Sequence, residues 1–129
     1  MKLLITGATG FIGQHLFEDI FFTKNNIEVR ILSRNINPVL RFSQKVEIYK
    51  GDLSEISTID NAFSGVDILI NLAAEIKDKV KFESTNILGT KNIISLVKKH
   101  KIQKIIHLSS VGVVGAQYSQ IPIEVAENT

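Results

Sequence analysis

Short apolar runs and stretches with a helical repeat alternate from the first residues, the pattern of parallel strands joined by helical crossovers. Lys2 to Thr6 reads as a first strand. Beyond a glycine-rich turn, Ile12, Leu16 and Ile20 recur with Phe17 and Phe21 beside them. That spacing predicts one buried face of a helix running to about Lys24 and broken at Asn25-Asn26. Glu28 to Ser33, Val46 to Lys50 and Asp67 to Leu72 predict three further strands. The last is a nearly continuous apolar run, as a strand buried on both faces requires. Ser54 to Phe63 predicts a short helix with Ile56, Ile59 and Phe63 on one side, ended by Gly65. A longer helix is expected from Lys79 to about Lys101, its stripe Ile87, Thr90, Ile94 and Val97, flanked by Ile93 and Leu96. Lys104 to Ser109 predicts a fifth strand. Arg34 to Phe42 fits either a short helix or a loop, and the residues after the fifth strand show no clear period.

Composition adds a scale. The 129 residues are 44% hydrophobic and 22% charged with two prolines, which fits one globular domain and not a disordered chain. The absence of cysteine removes disulfides, thiolate metal ligation and cysteine nucleophiles together, and no metal site is assigned. No run approaches the roughly 18 apolar residues of a membrane helix, and Leu3-Leu4-Ile5 is too short for a signal-peptide core. A cytoplasmic protein without membrane contact is expected. Fifteen Lys and Arg against thirteen Asp and Glu leave a net charge of +2, small beside the clustered basic face that nucleic acid demands. The dense cluster Lys98-Lys99-His100-Lys101, with Lys104 beyond, suits a helix C-terminus, where cations complement the macrodipole. No nucleic-acid partner is expected. His15 on the first helix, His100 at a helix end and His107 in a buried strand read as structural.

Thr6-Gly7-Ala8-Thr9-Gly10-Phe11-Ile12-Gly13 joins the first strand to the first helix, with glycines at three-residue spacing. Glycine at such a turn adopts angles closed to other residues, lets the backbone approach a pyrophosphate, and lets helix and strand pack closely. The helix N-terminus beyond presents unpaired N–H groups to phosphates. Gln14 and His15 follow Gly13, so no Gly-Lys-Ser/Thr is present and a nucleoside-triphosphate loop is excluded. The pattern favours a dinucleotide. In that arrangement a carboxylate about 20 positions onward bonds the adenosine ribose. Here Ser33 and Arg34 stand instead, a hydroxyl and a forked cation suited to a 2'-phosphate, so NADP is expected over NAD. The plainer reading of Arg34 is a solvated loop residue. Asp52, just past the third strand, lies at the sheet edge where ligands sit, or caps the next helix; both readings stand.

These motifs together resemble the N-terminal part of the extended short-chain dehydrogenase/reductase superfamily, the NAD(P)-dependent epimerase/dehydratase family. The matching residues are Thr6 to Gly13, Gly51-Asp52-Leu53, Asn71-Leu72-Ala73-Ala74, Asn86 with Gly89-Thr90, and Leu108-Ser109-Ser110, in order over essentially the whole chain. The resemblance implies an α/β, doubly wound parallel sheet (Rossmann fold) of strand order 3-2-1-4-5. It implies that Gly7, Thr9, Gly10, Phe11, Ile12 and Gly13 wrap the pyrophosphate, that Asp52 and Leu53 meet the adenine, and that Ala73 and Ala74 line the cofactor path. Asn86 would position the long helix beneath the cofactor. Ser109 joins the cofactor-binding set, and Ser110 matches the family serine that bonds the reacting oxygen. The plainer reading of both serines is a polar strand end satisfying its own backbone.

Family chemistry is hydride transfer at a carbon bearing oxygen, with a Tyr-x-x-x-Lys pair moving the proton. A phenol acts near neutrality only if a neighbouring cation lowers its pKa from about 10. Tyr49 is followed at the fourth position by Leu53 and Tyr118 by Pro122, so neither makes the motif. Val113-Val114-Gly115 also stands where Val-Tyr-Gly is common. The expectation is therefore a truncated cofactor-binding domain over residues 1–129, inactive alone, of an NAD(P)-dependent oxidoreductase or nucleotide-sugar epimerase/dehydratase. Its partners would be the dinucleotide, a small-molecule substrate and a possible second copy in a homodimer. The alternative is a non-catalytic NAD(P)-binding sensor or structural protein of the same fold.

Overall fold

A computed structural model describes residues 1–23, 26–42 and 46–110. Five strands, β1 (Lys2–Thr6), β2 (Glu28–Ser33), β3 (Glu47–Lys50), β4 (Ile68–Asn71) and β5 (Lys104–His107), form one sheet of order β3-β2-β1-β4-β5. Every pairing is parallel, and Thr6, Leu32 and Asn71 share one register line at the C-terminal end. The helices are α1 (Phe11–Thr23), α2 (Ile56–Phe63), α3 (Lys79–Phe82) and α4 (Gly89–Lys99). Arg34 to Phe42, open between helix and loop on sequence, contains a 3-10 helix at Asn37–Phe42.

Side chains alternate across the strands, so the sheet splits its core in two. Leu4, Leu32 and Leu69 pack with Ile59, Phe63, Ile93 and Leu96 of α2 and α4 on one face. Leu3, Ile5, Ile31 and Ile70 pack on the other with Ala8, Val39 and Leu16 of α1.

Several expected faces shift. In the long helix the buried residues are Thr85, Gly89, Ile93 and Leu96, whereas Ile87 and Ile94 are exposed. Gly89 decides this: a Cβ there would lie 3.0 Å from Leu53 Cβ, so the helix closes on the segment after β3 through its smallest residue. Between α3 and α4 the chain winds as a π-helix over Glu83–Leu88, with the Gly89 N–H on Ser84 O, making one continuous helical run. Ile12 and Ile56 are exposed because each lies in the first turn of its helix, outside the contact with the sheet. His107, expected in a buried strand, is exposed with the rest of β5, an edge strand of the sheet among the described residues. The side chains of Phe17, Ile20 and Phe21, the residues Lys24 and Asn25, and the run from Val111, including Tyr118, lie outside the described residues. Among the described residues no helix is long and apolar enough to cross a membrane.

Candidate functional site

Chain order reverses direction between β1 and β4: β2 and β3 lie to one side of β1, β4 and β5 to the other. Loops leaving adjacent strands part there, and a crevice opens beyond their C-terminal ends. Its volume is about 260 Å³, and it takes residues from the loops after β1, β2, β3 and β4.

The glycine loop forms one wall. Gly7 has φ of +74°, and a Cβ on it would lie 2.6 Å from Ala73 N, so the loop passes directly against the end of β4. A Cβ on Gly13 would lie 2.6 Å from Ala8 Cα; this glycine packs α1 against the loop. Gly10 differs. It has no positive φ, and the near neighbour of a Cβ there would be Gly7 O at 3.3 Å. Gly10 lines the crevice, and the room beside it belongs to the crevice. Its N–H is bonded to Gly7 O at 3.0 Å, and the Gln14 N–H reaches Gly10 O at 2.9 Å. The amides of Phe11, Ile12 and Gly13 are therefore the open N-terminal donors of α1. Small residues, an open glycine and a helix N-terminus meet the steric and electrostatic needs of a pyrophosphate.

On the β2 side, Ser33 Oγ donates to Asn35 O at 2.9 Å, and Arg34 is half exposed over the crevice. Gly51 N–H bonds Ser33 O at 3.1 Å, tying the end of β3 to that of β2. Asp52 Oδ1 accepts from Ser54 N at 2.9 Å and from Ser54 Oγ at 2.8 Å. The N-cap of α2 is Glu55, without a side-chain cap bond, so Asp52 forms a turn ahead of the helix and does not cap it. Burial opposes its charge, but the Ser54 bonds together with Arg34 and Lys81 hold the Asp52 carboxyl below the usual carboxylate range.

Across the crevice, Leu72, Ala73 and Ala74 leave β4 and lead to Glu75. Glu75 Oε1 accepts from Asp78 N at 3.1 Å and Lys77 N at 3.0 Å, and Oε2 lies 3.7 Å from the Arg34 guanidinium. Those two amides, with Arg34 adding, hold the Glu75 carboxyl below its ordinary value. Under the floor runs a polar ladder. Thr6 Oγ1 donates to Asn71 Oδ1, and Asn71 Nδ2 lies 2.9 Å from His107 Nδ1.

Of the sequence-assigned residues, the crevice gathers Gly7, Thr9 and Gly10, then Ser33 and Arg34, Asp52 and Leu53, Ala73 and Ala74. The Phe11 and Ile12 side chains are exposed, Phe11 standing edge-on to His15. Asn86 sits behind the wall, bonded to Glu75. Ser109 and Ser110 follow β5, exposed, and do not line the crevice. Sequence reasoning did not assign Thr6, Leu32, Asn35, Gly51, Leu72 or Thr85, which also line it. Thr6, Leu32 and Leu72 were findable from their place at or just past strand C-termini; buried Thr85 carried no signal.

The chain is similar to parts of longer proteins. A dTDP-D-glucose 4,6-dehydratase from Dictyostelium discoideum is 34% identical over 89% of this chain and 30% of its own length. A decarboxylating sterol-4-alpha-carboxylate 3-dehydrogenase from Candida albicans is 29% identical over 88% of this chain and 35% of its own. The chain thus spans about a third of these relatives' length. In fold it superposes on the Bacillus anthracis dTDP-glucose 4,6-dehydratase solved in complex with NAD, with a TM-score of 0.82 and 23% identity over 100% of this chain and 43% of that one. Residues 4–129 match the 3-beta hydroxysteroid dehydrogenase/isomerase family, and the chain belongs to that family within the extended short-chain dehydrogenase/reductase superfamily.

Proposed function

We propose that this chain is the dinucleotide-binding portion of an NAD(P)-dependent oxidoreductase or epimerase/dehydratase acting at a hydroxyl or carbonyl carbon of a small molecule such as a nucleotide sugar. The observation that carries the reading is Gly10. It has no positive φ, a Cβ there would make the mildest contact of the three loop glycines, with Gly7 O at 3.3 Å, and it faces the crevice beside the N-terminus of α1. Backbone amides there would hold the pyrophosphate, Asp52 and Leu53 would bound the adenosine end, and Ala73 and Ala74 would keep the path toward β4 open. When bound, the nicotinamide supplies hydride exchange. Residues 1–129 contain no Tyr-x-x-x-Lys, and this stretch is assigned cofactor binding.

Within the same reading, NADP is the preferred cofactor. Arg34 lies between the crevice and an adjoining hollow of about 420 Å³ also lined by Lys50, Asp52 and Glu55, where two cations suit a 2'-phosphate. Titration calorimetry with NADPH and NADH tests both levels. Binding of NADPH tighter than NADH, with Arg34→Ala weakening NADPH about tenfold and sparing NADH, is the expected result. If neither dinucleotide binds, the site assignment fails; if both bind equally and Arg34→Ala changes nothing, the preference for NADP fails.

A further inference from the structure

Arg34 meets a carboxylate across the crevice, and the two partners are held very differently. Glu75 is 15% exposed, and its Oε1 is fixed by two amides, while Asn86 grips its backbone. Arg34 is 48% exposed, and its contact at 3.7 Å is longer than a hydrogen bond. One end is anchored and the other is half exposed. Such a half-exposed ion pair holds its exposed partner weakly. We propose that Glu75 is a specificity-determining residue, an anchored anion that competes with the 2'-phosphate of a dinucleotide for Arg34 and so limits the preference for NADP over NAD.

Charge and position alone set the competition. A 2'-phosphate recruiting Arg34 must draw it from Glu75 and then sit near a carboxylate that cannot retreat. An unphosphorylated ribose meets neither cost. The lowered Glu75 pKa keeps that charge in place at neutral pH. Asp52, which also feels Arg34, adds a second anion from the β3 side, but Ser54 directs its Oδ1 into the turn.

The inference rests on the dinucleotide reading above, and the experiment separates the two. Affinities of NADP and NAD are measured for the purified protein and for Glu75→Gln, Arg34→Ala and the double variant. Gln keeps an acceptor for Lys77 N and Asp78 N while removing the charge. Glu75→Gln is expected to tighten NADP about three- to tenfold and to leave NAD within about twofold. In the Arg34→Ala background that gain should shrink by more than half. An unchanged NADP-to-NAD ratio in Glu75→Gln overturns the inference while leaving the dinucleotide reading intact; failure of the parent protein to bind either dinucleotide is what strikes the reading itself. Should Glu75→Gln fail to fold, Glu75→Asp draws the carboxylate back from Arg34. A smaller gain for NADP alone then supports competition, and no gain overturns it.

Discussion

Asn86 clasps the backbone of Glu75 from both sides. Its Nδ2 donates to Glu75 O at 2.8 Å, and its Oδ1 accepts from Glu75 N at 2.9 Å. The clasp joins the π-wound part of the long helix to the loop that forms the β4 wall of the crevice. The residue thus acts through Glu75, from behind the wall that the cofactor would touch.

Asn86→Ala removes both bonds and leaves part-buried Glu75 backbone groups without them. The expected cost is about 1–3 kcal/mol of stability. Because the wall loosens, dinucleotide affinity should fall with it. Urea unfolding and calorimetric titration of the same preparation check the pair of effects; an unfolding midpoint identical to the parent's would show that the clasp holds nothing.

The three loop glycines should separate by variant. Gly13→Ala and Gly7→Ala drive a methyl into the backbone of Ala8 and Ala73, and Gly7 also carries φ of +74°. Each should cost about 3 kcal/mol. Gly10→Ala meets only Gly7 O at 3.3 Å and should change stability by about 1 kcal/mol or less, yet weaken dinucleotide binding about tenfold. Thermal melts beside titrations test this. A Gly10→Ala protein that binds as tightly as its parent would remove the central support for the pyrophosphate assignment.

This division explains what the sequence made legible. Parallel strands announce themselves because a strand such as Ile68–Asn71 is apolar on both faces, and the strand–glycine–helix order places the crevice. The phase of α4 was not readable, since Ile93 and Ile94, and Leu96 and Val97, offer two adjacent stripes, and only contact between Gly89 and Leu53 selects one. Ser33 and Arg34 were found by spacing from the glycines. Glu75 was not, because its meaning comes from facing Arg34 across the sheet, and no local pattern encodes a contact between loops after different strands.

Arg30 is the buried cation of β2, and each of its three guanidinium nitrogens is engaged. Nε and Nη2 meet Glu47, Nη1 donates to Ala62 O at 2.7 Å and Ser64 O at 2.8 Å, and the guanidinium stands 4.8 Å from the Tyr49 ring centroid. Those carbonyls end α2, so the cation lies on the negative end of the helix dipole. Arg30→Met should cost about 2–4 kcal/mol, since the carbonyls lose their donor. Glu47→Gln should cost less, because residue 47 is half exposed and the carbonyls still compensate Arg30. Urea denaturation of both variants checks the order, and the reverse ranking would place the weight of the network on Glu47 instead.

Asp60 of α2 binds the C-terminal end of α4, accepting from Lys99 Nζ and meeting His100 Nε2 at 2.6 Å. The Lys99 bond first, and His100 second, hold its carboxyl below the usual range. A depressed carboxylate contributes stability above its ordinary pKa of about 4 and loses it as pH falls through the lower folded value. Asp60→Asn should therefore melt below the parent at about pH 5. The margin should narrow below about pH 4, as protonation removes the charge from the parent, and shrink in high salt because the pair is partly exposed. Melting curves between pH 3 and pH 7 read this directly. A margin that stays constant down to pH 3 would mean that Asp60 ties α2 to α4 through hydrogen bonding alone, with its charge contributing nothing.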